Sequence, residues 1–219
     1  MMQRRALLAG FGSAIAFGAA RETRAATALG PAWRVAPAIT VWSAPGDPRL
    51  ALVDDAVAFW NRSFAELGSA FRLGVSSKTN GAVPVGALKA QSELTLGGSR
   101  SVMPDWLRGH AGEMVVVLSD DEFVSFARRW MSEPTALVGI KSARNYPLTL
   151  PNVARNVIAH EMGHAIGLAH NADPTLLMCG RPSSCRPDAF QSTSEHYFPL
   201  ADDEKALLLR LYPADWRAG

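Results

Sequence analysis

The sequence predicts an α+β domain, and three observations lead to that class. A strand-like run near residue 40 is followed by a long helical pattern; several apolar runs then read as strands; and two helical patterns close the chain. The first strand is Ile39-Thr40-Val41-Trp42, ended by the Pro45-Gly46 turn. Asp47 reads as an N-cap with Pro48 at the first helical position, and Val53, Ala56, Val57, Trp60, Phe64 and Leu67 recur at helical spacing before Gly68. Ala70 to Val75 predicts a second strand, and Val83 to Val85 and Leu94 to Leu96 predict short ones within a Gly-rich, poorly periodic stretch from Ser76 to Gly112. Met114-Val115-Val116-Val117-Leu118 is a buried strand. Ser119 and Glu122 form a capping-box pattern that predicts a helix through Phe123, Phe126 and Trp130, and Ala136 to Ile140 predicts another strand. The closing helices are expected at about Asn152 to Leu168 and Asp202 to Leu211.

Composition places the chain among folded proteins: 219 residues, 48% hydrophobic and 19% charged, exclude a disordered or collagenous chain. No repeat or long linker divides it. Arg4 and Arg5 precede an uncharged stretch from Ala6 to Ala20, with small residues around Ala25-Ala26, which predicts a signal peptide over 1–25 and one domain over 26–219. The arginine pair is similar to a twin-arginine export signal, so a periplasmic or extracellular location is expected. The stretch is too short and too weakly apolar to span a membrane, and no later segment qualifies. Removing 1–25 takes four arginines and one glutamate, so 22 basic and 20 acidic residues become 18 and 19, a net charge of −1. That excludes a basic nucleic-acid footprint. In an oxidising compartment Cys179 and Cys185, the two cysteines of the chain, predict a small disulfide loop; the alternative is two reduced thiols.

The chemistry lies in His160-Glu161-Met162-Gly163-His164-Ala165-Ile166-Gly167-Leu168-Ala169-His170, of the form HExxHxxGxxH. Residues four apart share a helix face, so His160 and His164 can present two imidazole nitrogens to one ion. Gly167 can take positive φ, end the helix and let the chain bring His170 back as third ligand. Three neutral histidines leave a coordination position for water, the arrangement of one catalytic zinc ion. Glu161 is the candidate general base, taking a proton from the activated water and passing it to a departing amine.

This extended motif, followed by a methionine, resembles metzincin metalloproteases, most closely the matrixin catalytic domain. Thr175-Leu176-Leu177-Met178 is similar to the matrixin Met-turn, whose methionine forms an apolar floor beneath the zinc. Leu200 to Tyr212 resembles the terminal matrixin helix, with Asp203 and Glu204 at the acidic-pair positions that anchor the Met-turn in the family. The resemblance implies a twisted, mostly parallel sheet with one antiparallel edge strand, an active-site helix and a C-terminal helix. It implies a zinc-dependent metalloendopeptidase, here exported, acting on an extended polypeptide paired with the edge strand; a monomer is expected, though not from the resemblance. The chain departs from the family in places. Asn171 follows the third ligand where matrixins place Ser, and Gly180 stands where astacins and serralysins carry a metal-approaching tyrosine. Beyond the three motif histidines only His110 and His196 remain, so a matrixin structural zinc site cannot be assembled, and no matching calcium loop is seen. No cysteine precedes the catalytic helix, so no cysteine switch is expected. The Cys179–Cys185 loop is expected to stiffen the wall of the pocket that receives the side chain after the scissile bond. Two other readings remain: a narrow-specificity cell-wall peptide hydrolase, and a zinc-binding module without turnover.

Overall fold

The computed structural model describes residues 26–79, 81, 83–98, 102–131 and 134–219. The expected signal peptide lies outside the described residues. Five strands form one sheet: β1 (Ala38–Trp42), β2 (Ser76–Thr79), β3 (Glu113–Leu118), β4 (Phe126–Trp130) and β5 (Thr135–Ile140), in the order β2-β1-β3-β5-β4. All neighbours are parallel except β4, which runs antiparallel to β5 with Phe126 opposite Gly139 and Trp130 opposite Thr135. The expected antiparallel edge strand is therefore present. The helices are α1 (Arg49–Glu66), α2 (Ala87–Leu96), α3 (Pro151–Ile166) and α4 (Asp202–Leu211). No helix among the described residues is long and apolar enough to cross a membrane.

The sheet buries both faces, which is why β3 and β5 are apolar almost throughout. One face packs Ile39, Val41, Met114, Val116 and Val138 against α1 and α3. The other packs Val115, Val117 and Leu137 with Trp42, Leu88, Leu107 and Phe126. The first turn of α1 is organised by Asp47, whose Oδ1 accepts from the Arg49 backbone N–H at 2.8 Å. The buried Arg49 guanidinium then donates to Asp47 and to the carbonyls of Ser119 and Lys141, tying α1 to the ends of β3 and β5.

Three expectations are corrected. Ala70 to Val75 is not a strand: Phe71 and Leu73 are buried in alternation, but the Asn61 carboxamide takes the place of a neighbouring strand, accepting from Leu73 N–H at 2.8 Å and donating to Leu73 C=O at 3.1 Å. The ladder with β1 begins only at Ser76. The short strands expected at 83–85 and 94–96 are absent: 83–85 is coil and turn leading into α2, and 94–96 is the last turn of α2. Its buried face is Leu88, Gln91 and Ser92, so polar residues hide the apolar period. No helix follows Ser119: its Oγ accepts from Asp121 N–H in a local turn, and the chain continues into β4. Phe126 and Trp130, four apart, fit one face of a strand as well as one face of a helix.

Candidate metal centre

Almost every side chain of α3 is buried, because α3 is packed between α1 and the sheet while its far end builds the site. The α1 side enters through Trp60, whose Nε1–H donates to Ala159 C=O at 3.1 Å. Gly163 has no side chain because there is no room for one: a Cβ there would lie 2.6 Å from Met178 Sδ and 3.0 Å from Trp60. Gly167 ends the helix with φ +118°, as expected. Beyond it, the N–H groups of Gly167 and Leu168 return to Gly163 C=O.

The carbonyls left free at the end of α3 are met from both chain termini. Trp33 Nε1–H donates to Ala165 C=O at 3.0 Å, the Tyr212 hydroxyl to Ile166 C=O at 2.8 Å and Leu29 N–H to Gly167 C=O at 2.9 Å. The turn that redirects the chain towards His170 is thus clamped on its outer side.

His160, His164 and His170 come together at one point. Their Nε2 atoms form a triangle with sides of 3.1, 3.1 and 2.9 Å. Each opposite ring nitrogen, Nδ1, is 2.7 Å from a backbone carbonyl: Leu177 for His160, Leu168 for His164 and Arg181 for His170. A carbonyl can only accept, so Nδ1 carries the proton and all three Nε2 lone pairs face inward. Burial pushes His160 down to about 4, with the Leu177 carbonyl working against it, and burial lowers His164 and His170 as well. Three neutral rings with converging lone pairs repel one another unless a cation lies between them. Nitrogens of a tetrahedral zinc site stand about 3.3 Å apart for bonds of about 2.0–2.1 Å, a few tenths wider than this triangle. The donor set therefore fits zinc. Among the described residues this is the one group of three or more His, Cys, Asp or Glu side chains placed to hold a metal.

Glu161, next to the first histidine, is buried and lines the cleft in front of the triad. Burial pushes its carboxyl up to about 8, and no neighbouring cation offsets that; a divalent ion at the triad would pull it down. The cleft holds about 330 Å³ between β4, the 141–148 segment and the loop after His170, with Leu148, Val157 and Phe190 among its apolar walls.

The loop after His170 is zipped onto itself. Asn171 N–H donates to Met178 C=O at 2.9 Å, and Gly180 N–H to Asn171 C=O at 3.2 Å. Met178 is fully buried with its thioether against Gly163. Gly180 lies flat against the His170 ring, where a Cβ would meet ring atoms at 2.3 to 2.7 Å. Asn171, which departs from the matrixin pattern, donates its amide to Glu204 Oε1 at 2.7 Å, while Glu204 Oε2 accepts from Ala201 N–H at 2.9 Å. Of the two acidic residues, Glu204 reaches the site loop; Asp203 accepts from Glu204 N–H instead. The Cys179–Cys185 disulfide is formed, and both cysteines line the cleft. His110 sits 2.9 Å from Glu113, and His196 lies on an exposed segment; neither belongs to the site.

Several contributors escaped sequence reasoning. The buried carboxamides of Asn152 and Asn156 hold segment 190–198 on α3 through Phe190 C=O, His196 N–H and C=O, and Phe198 N–H. Their spacing of four on one helix face was the available signal. Trp33 and Tyr212 carried none, because their role depends on contacts far along the chain, 132 residues away for Trp33 and 46 for Tyr212.

No protein-family profile matches this sequence, and no curated protein matches it. Solved structures do. Archaemetzincin from Methanopyrus kandleri superposes with a TM-score of 0.51 at 18% identity, covering 81% of this chain and 94% of that one. The chain has a metzincin-like fold. A zinc-dependent peptidase from Methanocorpusculum labreanum is a more distant likeness, with a TM-score of 0.39 at 14% identity over 78% of this chain and 99% of that one. The archaemetzincin likeness supports the metzincin-like architecture and does not distinguish its branches.

Proposed function

We propose that the protein is an exported zinc-dependent metalloendopeptidase. The observation that carries this reading is the convergence of the three Nε2 atoms within 3.1 Å of one another, with Glu161 beside them on the wall of a cleft. Bound zinc would polarise a carbonyl and acidify a water. His160, His164 and His170 hold the ion in the orientation their carbonyl partners fix. The Glu161 carboxylate takes a proton from the attacking water and delivers it to the departing amine. Substrate lies extended along β4, the edge strand, whose Phe126 and Ala127 line the cleft. Apolar walls exclude solvent around the scissile bond and strengthen each charge interaction there.

Met178 as the floor of the site supports the metzincin reading; within it, Glu204 as the anchor of the site loop is the feature that favours a matrixin-like branch, and Asn171 departs from that branch. Export rests on the 1–25 segment and suits a disulfide at the cleft. Amino-terminal sequencing of the protein recovered outside the cytoplasm should begin near Ala26.

The test is mass-spectrometric detection of products when the zinc-loaded mature chain and its Glu161→Ala variant meet a diverse peptide mixture and, separately, peptidoglycan fragments. Internal cleavage of the mixture by the parent and not by the variant is expected. Cleavage of the fragments alone would replace this reading with a cell-wall peptide hydrolase. No cleavage of either would leave a zinc-binding module.

A further inference from the structure

The charges around the cleft are lopsided in a chain that is otherwise balanced. Without residues 1–25 the chain carries 18 basic and 19 acidic residues. Yet the cleft is lined by Lys141, Arg181 and Arg186, while among the described residues its one lining carboxylate is Glu161, the residue assigned to proton transfer. Arg181 lies inside the disulfide loop and Arg186 directly follows it. Arg181 is fixed beside the metal centre by its own carbonyl, which accepts from His170 Nδ1–H at 2.7 Å. Arg186 is steadied by Nη1, which donates to the carbonyls of Ser183 and Cys185 at 3.0 and 2.6 Å. That leaves the rest of its guanidinium fork for another acceptor.

None of the three cations forms an ion pair with a described carboxylate. Lys141 also borders a neighbouring depression lined by Glu93, Glu122 and Lys89, so carboxylates lie on its other side. Among the described residues, no carboxylate lines the cleft beside the two arginines except Glu161. Behind them the cleft is apolar, with Leu148, Val157 and Phe190.

We propose that this cleft selects peptides that place an apolar side chain in its depth and a carboxylate side chain within a residue or two of the scissile bond, read by Arg181 and Arg186. The proposal deepens the peptidase reading and rests on it. Two guanidiniums at the rim attract such a carboxylate and offset the repulsion it would feel from Glu161. A planar fork suits a carboxylate better than a point charge does. The arginines are exposed, so the preference is modest and falls with added salt.

The experiment measures binding and cleavage separately. Fluorescein-labelled peptides identical except for Asp, Asn or Lys beside a central Leu are titrated by anisotropy into the zinc-loaded Glu161→Gln protein. The same peptides are offered to the parent for cleavage. The Asp peptide should bind about tenfold more tightly than the Asn peptide at low salt, with the Lys peptide weakest. Arg181→Gln with Arg186→Gln should bring the Asp-to-Asn ratio close to one, and the double charge reversal to Glu should favour the Lys peptide. Zinc content is measured in every variant, because Arg181 supports His170. If it falls in the double variant, Arg186→Gln alone, which should lower the ratio by about threefold, carries the test.

Binding of the three peptides within about twofold of one another overturns the proposal, as does an equal loss for all three in the glutamine variants or no binding of the Asp peptide. Cleavage without acidic preference sinks this inference and leaves the peptidase standing. Acid-selective binding with no cleavage by the parent sinks the peptidase and leaves the carboxylate selection.

Discussion

The back and the front of the metal centre are built in opposite ways. At the back, each histidine Nδ1 has a carbonyl within 2.7 Å, and the carbonyls ending α3 are met by Trp33, Tyr212 and Leu29. At the front, Glu161 lines the cleft with burial as the one influence on its carboxyl, and the rim arginines are unpaired with any described carboxylate. Metal ligands need fixed lone pairs, so the fold constrains them; groups that meet substrate need free lone pairs and protons, so the fold leaves them available. Disturbing the back should therefore cost metal or stability, and disturbing the front should cost turnover.

The largest expected effect comes from the front. Glu161→Gln should lower kcat/KM by roughly a hundred- to ten-thousandfold while the protein still binds zinc, because the amide cannot take a proton. Peptide turnover measured beside zinc content checks this. If zinc and turnover are lost together, the division between back and front fails.

Next is Gly180→Ala. A methyl group at this position would lie 2.3 to 2.7 Å from atoms of the His170 ring, so the third ligand must swing away. Zinc affinity should fall about 10- to 100-fold, the range for disturbing the groups that orient a ligand. Competition with a chromogenic chelator measures it, and an affinity unchanged from the parent would show that His170 is not held as described.

The back of the site was largely legible because its spacing is the pitch of a helix: positions 160, 164 and the turn at 167 follow from 3.6 residues per turn and one glycine with positive φ. What the motif could not convey is why its free positions are filled as they are. Gly163 is set by Met178 and Trp60, and Gly180 by His170, contacts visible only after folding. The elements outside the motif were less legible. In α2 the buried face carries Gln91 and Ser92, in β4 Phe126 and Trp130 satisfy two periods at once, and at 70–75 a side-chain amide replaces a strand. In α2 and at 70–75 a polar group takes a position that apolar spacing would mark; in β4 the apolar positions are filled but do not decide between strand and helix.

A smaller effect separates stability from chemistry at the back. Trp33→Phe keeps most of the buried ring and removes the donor to Ala165 C=O, leaving that carbonyl unpaired beneath the metal centre. The cost should be about 1–3 kcal/mol, or a Tm lower by several degrees, with turnover at low temperature little changed. Thermal unfolding and peptide cleavage on the same preparation check it.

The smallest effect is a pH dependence at Glu204. Burial raises its carboxyl pKa against the lowering influence of Asn171 and the Ala201 N–H. In the unfolded chain the group loses its proton near the ordinary value of 4.5, while the folded protein holds the proton to higher pH. Between those two values the folded state binds more protons, so this group's contribution to stability is greatest below about 4.5 and declines as pH rises through the folded pKa. Glu204→Gln removes that titration, and also leaves one of two donors, Asn171 or Ala201 N–H, facing an amide N–H instead of an oxygen. The variant should be less stable throughout. The gap should narrow as pH rises through this window and then stay constant, and denaturant unfolding of both proteins across the acid range would show it. A gap that widens with pH would mean that the carboxylate form is the one the fold prefers, with the Asn171 and Ala201 bonds outweighing burial.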